Sequence, residues 1–163
     1  MRKFLVVAAS ALLLTACSST QNGAELYGDG NAGWREDVDI TDLTPTALTK
    51  KLQKTGQDVV YFSFNEANLD AEAKATLQTQ AELLKENPAA LVVIEGRCDE
   101  RGTREYNLAL GDKRANAARS YLIAKGIDGN RIRTISYGKD KPIVLGSDEE
   151  AWAKNRNATT VAY

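Results

Sequence analysis

The stretch Leu91-Val92-Val93-Ile94-Glu95-Gly96-Arg97-Cys98-Asp99-Glu100-Arg101-Gly102-Thr103 decides the fold class. It opens on four large aliphatic residues, a short run suited to a buried strand. It then turns polar, with glycines on both sides of a charged loop, and feeds a helical pattern from about Arg104 to Lys125 that Gly126 stops. Working outward, Val59-Val60-Tyr61-Phe62-Ser63-Phe64 is rich in β-branched and aromatic residues and reads as a strand. Asp70 can cap a helix carrying Ala73, Leu77, Ala81 and Leu84, ended by Asn87-Pro88. Leu48 to Lys54 suggests a short leading helix, 131–137 and 158–162 two more strands, and 148–154 a short helix between them. Strands alternating with helices predict an α/β or α+β body, with helices packed on a four-stranded sheet.

Composition narrows the chemistry. The 163 residues contain no histidine, which removes Ser-His-Asp and Cys-His catalysis and every histidine-ligated metal site. Two cysteines, Cys17 and Cys98, cannot build a disulfide framework or a four-cysteine zinc site. The 21 basic and 22 acidic residues nearly cancel, which argues against nucleic acid as a partner held by bulk charge.

The N-terminus reads as an address. Arg2 and Lys3 precede an apolar or small run from Phe4 to Leu14, about 17 Å long as a helix and too short to span a bilayer core of about 30 Å. Residues 1–16 are therefore expected to be a signal peptide. Leu14-Thr15-Ala16-Cys17 resembles a bacterial lipobox, which predicts lipidation at Cys17 and, with Ser18 next, an outer-membrane destination. Residues 17–45 read as a lipidated N-terminus and a flexible, acidic, glycine-rich tether containing Trp34. Residues 46–163 form the folded body.

The long helix carries an anomaly. Leu110, Gly111, Ala115, Ala117, Ala118, Tyr121 and Leu122 share one side, and Asn107 and Arg114 sit near the middle of it. An inward arginine needs a partner, and the reading expects an acidic one. Asp99, in the loop entering the helix, is the nearest supplier. Two arrangements satisfy it: an Asp99–Arg114 ion pair stapling loop to helix, or a shared pocket holding a ligand with adjacent ammonium and carboxylate groups.

Glu95-Gly96-x-x-Asp99-Glu100-Arg101-Gly102-Thr103, with Tyr106-Asn107, Arg114-Ala115, Ser136-Tyr137-Gly138-Lys139-Asp140-Lys141-Pro142 and Asn155-Arg156, resembles the OmpA-like peptidoglycan-binding family. The likeness covers about Val59 to Tyr163. It implies an α+β fold (an α/β sandwich) in which helices pack on one face of a four-stranded mixed sheet. It implies noncovalent binding of peptidoglycan at the diaminopimelate of the stem peptide, with Asp99 receiving the ammonium and Arg114 the carboxylate. Asn107, Asn65 and Thr103 join them as ligand-binding residues by the same resemblance. Partners implied are TolB and other Tol proteins, with roles in envelope integrity and outer-membrane constriction during division. No cofactor, metal or catalytic residue is implied.

Two alternatives stand beside this reading. One is a wall-acting enzyme using Asp99 and Glu100 as acid and base, although neighbouring loop residues rarely supply opposed carboxylates. The other is a protein-interaction lipoprotein whose pocket is vestigial. The chain also departs from the family pattern. Cys98 stands where threonine is common and reads as a small buried space-filler; Arg97, near Arg114, could tune the pocket. Asn157 replaces a frequent second arginine and forms a sequon, Asn157-Ala158-Thr159, that nothing else supports. Tyr137 to Pro142 is a candidate partner surface.

Overall fold

In the computed structural model the described residues are 44–163; the leader, Cys17, Trp34 and all but the last two residues of the expected tether lie outside them. Four helices and four strands alternate: α1 (Ala47–Thr55), β1 (Val59–Tyr61), α2 (Ala71–Glu86), β2 (Val92–Arg97), α3 (Arg104–Ala124), β3 (Ile132–Gly138), α4 (Glu149–Asn155) and β4 (Asn157–Ala162). A 3-10 turn at Gly129–Arg131 precedes β3.

The sheet has the order β1-β4-β2-β3 and is mixed. β4 runs antiparallel to both β1 and β2, whereas β2 and β3 are parallel and joined through α3. The resemblance implied this α+β arrangement, and the structure has it. One face of the sheet, through Val60, Val92, Ile94, Ile132, Ala158 and Ala162, meets Leu48 and Leu52 of α1, Leu77, Ala81 and Leu84 of α2, and Ala115, Ala118 and Leu122 of α3 in one core.

Local chemistry explains the element ends. The carboxylates of Asp70 and Asp148 accept from the main-chain N–H groups of Ala73 and Ala151, at 2.8 Å each, and so cap α2 and α4. Thr46 and Thr49 tie the start of α1 to the last strand: the Thr46 N–H and the hydroxyls of both threonines donate to the Ala162 carbonyl at 2.7–3.0 Å. Strand β1 is shorter than its six-residue signature, because the chain bends after Phe62 and leaves Phe64 exposed.

The contact that positions the site is between β2 and α3. Gly96 and Gly111 face each other so closely that a Cβ on Gly96 would stand 1.9 Å from the Gly111 carbonyl oxygen. The polar signature Ser136-Tyr137-Gly138 serves the same packing. Ser136 donates its hydroxyl to the Leu108 carbonyl at 2.6 Å, and Gly138, at φ +53°, lies against the backbone of Asn107 and Leu108.

Candidate functional site

A cavity of about 230 Å³ opens where the β1–α2 turn, the β2–α3 loop and the first turns of α3 converge. Asn65, Asp99, Asn107 and Arg114 all line it, with Phe64, Cys98, Arg101 and Tyr106. Thr103 is not among its lining residues. Its hydroxyl instead accepts from the Tyr106 N–H at 3.2 Å and caps α3.

Arg114 is 0% exposed, yet no carboxylate pairs with it. Its Nε donates to the Glu66 carbonyl at 2.8 Å, Nη1 to that of Arg97 at 2.8 Å and Nη2 to that of Ser63 at 3.0 Å. The guanidinium also lies over the Phe62 ring, 5.2 Å from its centroid. This corrects the expectation of a protein carboxylate as the partner of the inward arginine. Main-chain carbonyl dipoles, three of them converging, satisfy the buried charge instead. Burial lowers the Arg114 pKa from its usual value, with the neighbouring Cys98 and Asp99 acting in the opposite sense. The Asp99–Arg114 staple is likewise not formed.

Asp99 pairs elsewhere. It is 3% exposed and lies between two other arginines. Arg101 reaches back with its main-chain N–H at 3.1 Å and two guanidinium bonds at 3.2 and 2.6 Å. Arg156, from the end of α4, stands 3.5 Å away and is anchored by the Phe62 carbonyl and by Glu149 at 2.8 Å. Burial pushes the Asp99 carboxyl up, but the hydrogen bonds and charge of Arg101, with help from Arg156, outweigh it and hold the group below the usual carboxylate range.

The remaining polar groups shape the loop. Asn107 donates through Nδ2 to the carbonyls of Arg101 at 2.8 Å and Thr103 at 3.0 Å, so the helix itself folds the loop against its first turn. Asn65 adopts φ +59°, a left-handed conformation that asparagine tolerates, and accepts a hydrogen bond from the Tyr106 hydroxyl. Cys98 is 2% exposed and its thiol donates to the Asn107 carbonyl at 3.3 Å. Burial pushes that thiol up, against the lowering effect of Arg114, so it stays protonated and packs as a small side chain.

Three other expectations meet the structure differently. The Arg97 side chain leaves the cavity for the opposite face of the sheet, where it donates to Thr159, Glu95 and the Lys141 carbonyl and stacks on Tyr137. It faces away because Gly96, its neighbour, takes the face turned to α3; only the Arg97 carbonyl touches Arg114. Asn157 is wholly buried, donates to the Lys154 carbonyl and accepts from Thr159, which leaves the sequon inaccessible to a glycan. Asp99 and Glu100 do not form an opposed acid–base pair. Asp99 is held ionised, and the Glu100 carboxylate lies at the surface accepting from the Trp152 indole N–H at 3.1 Å.

Sequence reasoning passed over Phe64, Tyr106, Arg101 and Trp152 as site residues. Arg101 is clamped between the Phe64 and Trp152 rings, 4.0 and 4.2 Å from their centroids. The signal available was Arg101 two residues after Asp99, a spacing that lets a side chain fold back onto its neighbour's carboxylate.

The OmpA family model matches residues 61–156, which include the whole cavity lining. The chain is 43% identical over 161 residues to a peptidoglycan-associated lipoprotein of Haemophilus influenzae, covering 99% of this chain and 97% of the relative. A Pasteurella multocida protein of the same name is 42% identical over 161 residues, covering 99% and 97%. The crystal structure of the peptidoglycan-associated lipoprotein from Burkholderia pseudomallei superposes with a TM-score of 0.63 at 44% identity, covering 65% of this chain and 90% of that one. With a matching family model across the site and relatives of this similarity along its length, the chain belongs to the OmpA family and, within it, to the peptidoglycan-associated lipoproteins.

Proposed function

We propose that this chain is an outer-membrane lipoprotein, facing the periplasm, that grips peptidoglycan noncovalently at the diaminopimelate of the stem peptide. The observation that carries the reading is one cavity of about 230 Å³ presenting both a buried carboxylate, Asp99, and a buried guanidinium, Arg114. The far end of diaminopimelate carries an ammonium and a carboxylate on one carbon, the complement of that pair. A guanidinium has five N–H donors; carbonyls take three of those of Arg114 and the Cys98 sulfur bonds to it as well, which leaves at least one N–H to meet a ligand carboxylate. Asn65 and Asn107 line the same cavity. Thr103 acts on the ligand only indirectly, through the helix cap that presents Tyr106.

Among the described residues no helix is long and apolar enough to cross a membrane. Attachment in this reading rests on lipid at Cys17, with residues 1–16 removed as a signal peptide and residues 17–45 as the tether to the 46–163 domain. TolB and other Tol proteins are the proposed partners, and coupling of the outer membrane to the wall, in envelope integrity and constriction during division, is the proposed role. Binding is noncovalent and no reaction is assigned.

The test is retention on purified sacculi with and without competing free meso-diaminopimelate. Retention that the free amino acid displaces is expected. Retention insensitive to it, or none at all, would remove the ligand assignment.

A further inference from the structure

The cavity's negative group is already occupied. Asp99 accepts three hydrogen bonds from Arg101, and the guanidinium of Arg101 is held over Asp99 by the Phe64 and Trp152 rings on its two sides. The two arginines on Asp99 are not equivalent. Arg156 has a side chain 10% exposed and is fixed by the Phe62 carbonyl and Glu149. Arg101 has a side chain 32% exposed, lines the cavity, and beyond Asp99 has just a long ion pair to Glu149 at 4.0 Å among the described residues. Arg156 is thus part of the frame, and Arg101 is a cation resting at the mouth.

Resting on the diaminopimelate reading above, we propose that Arg101 is a built-in competitor for the ammonium of the ligand. Entry of the ammonium swings the Arg101 guanidinium off Asp99 and out from between Phe64 and Trp152. Asp99 already accepts at both oxygens, Oδ2 from Arg101 at 2.6 Å and Arg156 at 3.5 Å and Oδ1 from two further N–H groups of Arg101. Its acceptor positions are filled, so a third cation must displace one of the two arginines. The displaced guanidinium has water and Glu149 beside it, whereas Arg156 keeps Asp99 ionised in the interval. Arg101 then sets specificity. A ligand without a cationic end does not exchange with it, and a ligand with one binds less tightly than the bare pocket would allow.

The test follows meso-diaminopimelate binding in a Trp34→Phe chain, which leaves Trp152 as the single tryptophan. Calorimetry on this chain and on its Arg101→Gln form is expected to show about three- to tenfold tighter binding in the latter, because the internal cation is gone. Ligand saturation is expected to change Trp152 fluorescence in the Arg101 chain, as the guanidinium leaves the ring, and to leave it nearly unchanged in Arg101→Gln. Equal or weaker binding by a folded Arg101→Gln chain would overturn the competitor role while leaving the ligand assignment intact. So would a Trp152 signal that stays flat at saturation, a reading available even where Arg101→Gln fails to fold. Absence of binding to both chains would bring down the ligand assignment and this inference together.

Discussion

Gly96 in β2 and Gly111 in α3 meet backbone to backbone, with no room for a side chain between them: a Cβ added to Gly96 would lie 1.9 Å from the Gly111 oxygen and 2.7 Å from its carbonyl carbon. A rigid carbonyl cannot yield as a flexible side chain does, so Gly96→Ala must push α3 away from the sheet. A loss of about 3 kcal/mol or more in denaturant unfolding is expected, together with loss of sacculus retention, because α3 carries Asn107 and Arg114. A cost below about 1 kcal/mol would show that the helix docks more loosely than this contact implies.

Arg114 joins three stretches of chain through the carbonyls of Ser63, Glu66 and Arg97. Arg114→Lys keeps the charge but loses the planar fork, and a single ammonium cannot meet three carbonyls set around a guanidinium. The expected cost is about 2–4 kcal/mol of stability, with sacculus binding lost even in samples cold enough to be fully folded. Binding that survives in Arg114→Lys would mean that charge alone, not geometry, serves the ligand.

Asp99 makes stability depend on pH. Its carboxyl lies below the usual range in the folded chain, so the stabilisation from its ionised form is fully present above the unfolded value and is lost as pH falls through the folded one. Asp99→Asn should therefore be less stable than the parent at neutral pH, by about 2–4 kcal/mol, since two arginines lose a buried partner. The gap should narrow below about pH 4. Melting curves of both chains from neutral to acid pH check this, and a gap that widens in acid would refute the assignment.

Cys98 is a packing residue whose thiol burial keeps protonated. As pH rises above the free-thiol range of about 8.5, the unfolded chain ionises while the folded one does not, so this group's contribution to stability declines on the alkaline side. In a Cys17→Ser chain, which should also be free of the membrane, Cys98 is expected to react with iodoacetamide at about pH 8 orders of magnitude more slowly when folded than in urea. Cys98→Thr should retain wall binding within a few-fold, because a hydroxyl can donate to the same Asn107 carbonyl that the thiol reaches.

Helices were legible because they advertise themselves: the Ala73, Leu77, Ala81, Leu84 ladder and the Asp70 cap lie where periodicity put them. Strand β2 runs on to Arg97, beyond the aliphatic run ending at Ile94, because Glu95 and Arg97 project from the polar face while Gly96 turns to α3. The inward stripe of α3 was legible too, with Asn107 and Arg114 both buried on it. What Arg114 meets was not. Its partners are carbonyls, which every residue possesses, and no side-chain pattern marks which of them will converge. Arg131 is similar: it donates to the carbonyls of Leu84, Asn87 and Ala90 behind the end of α2. Charge pairing by residue type therefore pointed Asp99 at the wrong arginine, when the nearest in sequence, Arg101, was the one it holds.

The threonines that fasten α1 to Ala162 determine how the domain would carry tension. Ala162 pairs with Val92, at the start of β2, whereas the cavity lies past Arg97 at its other end. A chain pulled from residue 46 against a ligand held at Asp99 therefore draws the central strands β4 and β2 lengthwise past each other, over about 20 Å. Loaded in that direction, the hydrogen bonds of the β2–β4 ladder share the force and yield together, where a sideways pull would open them one by one. In the proposed role, such a domain suits a rope between two surfaces: membrane at one end of the strands, wall at the other, and the β2–β4 ladder in line between them.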